Sequence, residues 1–168
     1  YRKRDNLMKI LVLGDVMGLS GRNALKKNLS KILEKNKIDF SVINGENAAN
    51  DGKGITKEIA EEFFSLGIDV ITSGNHIWDK EETTKFIEKE KRLLRPANLA
   101  KGSPGQGYGI YLSKNQKYKI GVINLMGNVF MKKTEDVFKT AKEICNKIIL
   151  KKNVDFSSPF YKLFMNPN

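Results

Sequence analysis

The sequence predicts an α/β fold, a layered parallel sheet with helices on both faces. Three observations lead there. Short apolar runs alternate with amphipathic stretches through residues 9–91, as in successive strand-helix-strand crossovers. The first apolar run, Lys9 to Leu13, is continuous, as expected of a strand covered on both faces. The polar residues with the most chemical capability fall at the ends of those runs, where open α/β sheets place their ligands.

The first strand is read at Lys9-Ile10-Leu11-Val12-Leu13. After Gly21 the apolar positions Leu25, Leu29, Ile32 and Leu33 recur at helical spacing and make one buried stripe. Phe40-Ser41-Val42-Ile43 is the second strand. Ile59, Ala60, Phe63 and Phe64 mark a second helix, with Thr56 as its N-cap and Gly67 as its stop. Asp69-Val70-Ile71-Thr72 is the third strand, and Asp79 is placed as the cap of a third helix running to about Lys91, with Phe86 and Ile87 inward. A turn-rich loop follows at 95–107, then a hairpin of strands 108–112 and 118–125 around Lys114-Asn115-Gln116-Lys117. A last helix starts near Thr134, with Val137, Phe138, Ala141, Ile144, Cys145, Ile148 and Ile149 on its apolar side. One domain over 8–150 accommodates all of this; residues 1–7 read as a leader or scar before Met8, and 151–168 as a divergent tail.

Composition limits the function. A chain of 168 residues with 40% apolar residues can fill one core. No apolar run of about 18 residues is present and the basic start lacks a cleavage site, so neither a membrane span nor a secretory signal is expected. The single Cys145 cannot close an internal disulfide, which fits a cytoplasmic protein. The net charge of +11 attracts anions. Lysine outnumbers arginine 25 to 5 without a clear aromatic interleave, so the charge reads first as a solvated surface, with RNA as a possible partner.

Chemistry concentrates at three strand ends: Gly14-Asp15, Asn44-Gly45-Glu46-Asn47 and Gly74-Asn75-His76, which holds the only histidine. Gly14 to Gly21 follows a strand and opens a helix, but Val16 stands where a dinucleotide-binding turn needs its second glycine. An acid at Asp15 would repel a phosphate unless a cation intervened. Glu46 can bridge two cations, and amide oxygens such as that of Asn47 can coordinate one. Oxygen donors suit hard ions, and adding an imidazole moves the preference towards manganese, iron or zinc.

These motifs, with Trp78-Asp79 after the third, resemble the calcineurin-like metallophosphoesterases. Arg95-Pro96-Ala97-Asn98 and the Pro104-Gly105 loop narrow the resemblance to the YmdB-type branch, 2',3'-cyclic nucleotide phosphodiesterases, over residues 8 to about 150. The resemblance implies two divalent metal ions, iron or manganese, held by Asp15, Glu46, Asn47 and Asn75. It makes His76 the proton donor.

The chain departs from the family at its C-terminal end. The family supplies three further metal-binding histidines; Asp155-Phe156-Ser157 stands near the first with serine in its place, and no histidine follows. The expectation is therefore the N-terminal portion of the fold only, a truncated or frame-shifted chain with impaired hydrolysis, an open sheet edge and some tendency to form homo-oligomers. A non-catalytic remnant that binds RNA or other polyanions through its lysines is the alternative. Near-stoichiometric bound metal would favour the enzyme; salt-sensitive RNA binding indifferent to chelators would favour the remnant.

Overall fold

In the computed structural model, residues 7–128, 134–150 and 163–166 are described. The expected leader, apart from its last residue, and the Asp155-Phe156-Ser157 segment lie outside them. The first four strands, β1 (Ile10–Asp15), β2 (Phe40–Asn44), β3 (Val70–Thr72) and β4 (Leu93–Leu94), form one parallel sheet in that order. Helices α1 (Gly18–Asn36), α2 (Lys57–Ser65) and α3 (Glu81–Phe86) make the crossovers, with a 3₁₀ turn at Asn75–Trp78 before α3. A second sheet contains β5 (Tyr108–Leu112), β6 (Lys119–Met126) and β7 (Leu163–Asn166), and α4 (Val137–Leu150) joins the last two.

The two faces of the first sheet follow from the period-two alternation of its strands. Leu11, Leu13, Ile43, Ile71 and Leu93 pack with Leu29, Ile59 and Phe63 beneath the helices. Ile10, Phe40, Val42, Val70 and Leu94 face Ile120 and Val122 of the second sheet. The other face of β6, with Ile123 and Leu125, takes Val137, Ile144 and Ile148 of α4. Helices thus cover both outer sides, as the layered α/β class requires, but two sheets lie between them. Continuous apolar strands report burial on both faces without saying whether a helix or a sheet does the covering.

Several local expectations hold. Thr56 caps α2 by accepting a hydrogen bond from the Ile59 amide at 3.2 Å, and the turn after α2 passes through Gly67 at φ 95°. The hairpin pairs Tyr108 with Ile123 and Leu112 with Lys119, antiparallel. Others change. The first helix begins at Gly18, so Gly21 lies inside it. The third helix stops at Phe86, well before Lys91, and Asp79 does not cap it because its carboxylate is held by His76. The chain instead makes the short β4, Leu93–Leu94, between the expected helix and the turn-rich loop. On α4, Phe138 turns away from the core and is 72% exposed. No helix among the described residues is long and apolar enough to cross a membrane.

Candidate active site

The three strand ends lie side by side because β1, β2 and β3 are neighbours running the same way. Register slips between Leu13 and Asp15, so that Asp15 rather than Gly14 stands opposite Asn44. Such an irregularity bends the strand and redirects its side chains. Asp15 receives a 2.7 Å hydrogen bond from Asn47 Nδ2, which joins the first two strand ends.

The turn after β2 is held from several directions. Asn44 Oδ1 accepts from the Glu46 amide at 2.9 Å, the bond of an Asx turn. The Gly45 amide reaches Thr72 O at 2.9 Å, and Asn47 O accepts from the Gly18 amide at 2.9 Å. A Cβ at Gly45 would stand 3.0 Å from both Ile55 Cδ1 and Ile71 Cγ2, so the backbone lies close on the core. Glu46 is completely buried and Asn47 nearly so, whereas Asp15 and Asn75 are exposed. A buried carboxylate needs a compensating partner, and a cation would supply one.

Asn75 and His76 lie on the 3₁₀ turn after β3. His76 Nδ1 is 2.7 Å from Asp79 Oδ2. An ionised carboxylate only accepts, so this nitrogen carries the hydrogen and Nε2 is the one left for chemistry.

Four residues outside the sequence-based set brace this region. Lys80 Nζ contacts both Asp51 oxygens at 2.9 and 2.7 Å, tying the segment after His76 to the loop after Asn47. The Lys80 hydrogen bond, against some desolvation, holds the Asp51 carboxyl below its ordinary range. Arg22 Nη2 donates to Asn50 Oδ1 at 2.5 Å and fastens the same loop to α1. Gly52-Lys53-Gly54 marks a turn in the sequence, but nothing there signals which distant cations grip it.

Among the described residues no group of three or more His, Cys, Asp and Glu side chains forms a metal cage. The candidate donors are instead mixed, two carboxylates and two amides, and hard oxygen donors of this kind fit a divalent ion. Asp15 and Asn47 are already in contact.

A parallel sheet with these polar strand ends, stacked on a second sheet between helical layers, makes a layered α/β domain with its candidate ligands along one edge. The chain belongs to the YmdB-like protein family, whose model matches residues 11–158. It is 44% identical over 137 residues to a 2',3'-cyclic-nucleotide 2'-phosphodiesterase of Bacillus subtilis (strain 168), covering 82% of this chain and 51% of that protein. Among solved structures it resembles a novel phosphatase from Mycoplasma pneumoniae, with 35% identity, a TM-score of 0.76 and coverage of 88% and 52%. A hypothetical protein from Thermus thermophilus superposes with the same TM-score, 0.76, at 29% identity over 83% of this chain and 53% of that one. The chain therefore spans about half the length of these relatives.

Proposed function

We propose that this chain carries the substrate-facing part of a metal-dependent phosphodiesterase acting on phosphate diesters such as 2',3'-cyclic nucleotides. The Asp15–Asn47 contact, which joins two ligand-bearing strand ends beside the buried Glu46, carries the reading. The name of the Bacillus subtilis relative supports the substrate class. Asp15 and Asn47 would hold one divalent ion, Asn75 a second, and Glu46 both, with manganese or iron as the metals. Such ions supply a low-pKa bound water and offset charge on the phosphoryl oxygens.

The protein's own side chains do the rest. Asp79 fixes the His76 ring by its Nδ1 bond; in the doubly protonated ring Nε2–H gives its proton to the departing ribose oxygen, which leaves the neutral Nδ1–H ring. The strand-end amides and the Asp51–Lys80 pair hold the two halves of the site at a set separation. These four candidate ligands would leave positions open to water on two ions, which would make turnover by this chain slow.

The test is hydrolysis of 2',3'-cyclic AMP with Mn²⁺ or Fe²⁺, with bound metal measured in parallel. The expected result is slow metal-dependent turnover, abolished with metal binding by Asp15→Ala and reduced about 10²–10⁴-fold by His76→Ala with metal retained. Metal-free protein that stays inactive at saturating Mn²⁺ would sink the proposal.

A further inference from the structure

We propose that the outward face of α1 is a docking track for single-stranded RNA, with one end of the track at the candidate active site. This rests on the phosphodiesterase reading and narrows its substrate class to cyclic phosphodiesters borne at the end of an oligonucleotide.

The track begins with charge. Helix α1 carries Arg22, Lys26, Lys27, Lys31 and Lys35 against one acid, Glu34. Arg22 and Lys26 are engaged with Asn50 and Glu62. Lys27, Lys31 and Lys35 are exposed and make no ion pair among the described residues. They recur every four residues, which places them about 6 Å apart along the helix. Leu25, Leu29 and Leu33 pack the opposite side into the core, so Lys27 and Lys31 face solvent.

Helix-dipole compensation accounts for Lys35 in the last turn, but not for Lys27 and Lys31 in the middle. The lysines of α2 and α3, by contrast, are interspersed with at least as many glutamates. Of the helices on this side of the sheet, α1 is the one with an excess of positive charge.

Apolar surface and position supply the rest. Met17 and Leu19 are 54% and 52% exposed at the start of α1, and Ile32 is 38% exposed further along. Met17 and Leu19, at the end of the helix nearest the site, offer the unpaired bases of a single strand an apolar surface, whereas a duplex keeps its bases stacked inside. The same end of the helix is bonded to the site, because the Gly18 amide donates to Asn47 O at 2.9 Å. A strand lying along the lysines and continuing over the first turns of α1 would reach Asp15 and Asn47.

The experiment compares wild type with the triple variant Lys27→Gln, Lys31→Gln, Lys35→Gln. Binding of a short single-stranded RNA ending in a 2',3'-cyclic phosphate is followed by fluorescence anisotropy across a salt series, and hydrolysis of that RNA and of 2',3'-cyclic AMP is measured alongside. Each phosphate contact to a single strand contributes about 0.7 to the salt slope, so the variant should lose about 2 units of slope. Its hydrolysis of 2',3'-cyclic AMP should be unchanged. RNA binding with an unaltered salt slope in the variant, or no RNA binding by wild type at low salt, overturns the proposal. RNA held through these lysines with neither substrate hydrolysed leaves the track standing and removes the catalytic reading instead.

Discussion

Asp51 and Lys80 lie 29 positions apart, and their contact joins two strand ends whose spacing the chemistry would depend on. Lys80 keeps the Asp51 carboxyl below its ordinary value of 3.8. A lowered carboxyl pKa gives stability that is present above the unfolded value and lost as pH falls through the folded one. Urea midpoints of wild type and Lys80→Met should therefore differ at neutral pH and draw together below about pH 3.8. Curves that stay parallel through the acid range would show that this pair does not set the dependence. Tyr111 has the opposite sign. Burial, reinforced by Glu90, pushes its phenol well above the ordinary 10.0, while its hydroxyl donates to Lys91 O at 2.7 Å. Its contribution is complete below pH 10 and declines as the pH rises towards the folded value. Tyr111→Phe should flatten the alkaline limb of the stability curve, and an equally steep limb in the variant would refute the assignment.

The helix starts show what local chemistry can and cannot announce. Thr56 was legible as a cap because its hydroxyl needs only the amide three residues on. Thr56→Ala should cost about 1 kcal/mol in urea unfolding, and a loss below a few tenths would mean that packing alone holds α2. Asp79 has the same look in sequence, yet it serves His76, a partner equally near in the chain. Asp79→Ala should leave stability almost unchanged and lower turnover by no more than the approximately 10²–10⁴-fold that a general acid supplies. A variant that instead loses about 1 kcal/mol would restore the capping role. Strand β1 was legible as a continuous apolar run, and β2 and β3 as short apolar segments that each follow an amphipathic helix pattern. The two residues of β4, Leu93 and Leu94, sit between charged neighbours in a run too short to be distinguished from a loop. The second sheet was read as a hairpin but not as the layer behind Val42 and Val70, since alternation shows which residues are buried and not against what. At the site, the motif residues were legible as types at strand ends. The braces from Arg22 and Lys80 were not, because each joins polar segments 28 or 29 residues apart.

Across the whole molecule, the candidate ligands belong to three strands that are themselves locked between layers. Asn124 of β6 extends this linkage to the second sheet, donating to Ser73 O at 2.7 Å and Leu94 O at 2.9 Å at the same carboxyl ends. A cation held by Asp15, Glu46, Asn47 and Asn75 would draw on β1, β2 and β3 together, while an unfolded chain would scatter those donors. Binding to the native state alone stabilises it by about 2.7 kcal/mol at a ligand concentration 100 times the dissociation constant. Mn²⁺ should therefore raise the thermal midpoint, with the rise growing logarithmically once the metal exceeds that constant. Mg²⁺, which demands near-ideal octahedral geometry and gives up water reluctantly, should raise it less. Asp15→Asn keeps the size of the side chain but removes a charge, so its midpoint without metal should stay close to wild type. The Mn²⁺ increment should nevertheless shrink. An equal Mn²⁺ increment in wild type and Asp15→Asn would place the ion somewhere other than these strand ends, and no increment in either would remove the metal from the fold's energetics altogether.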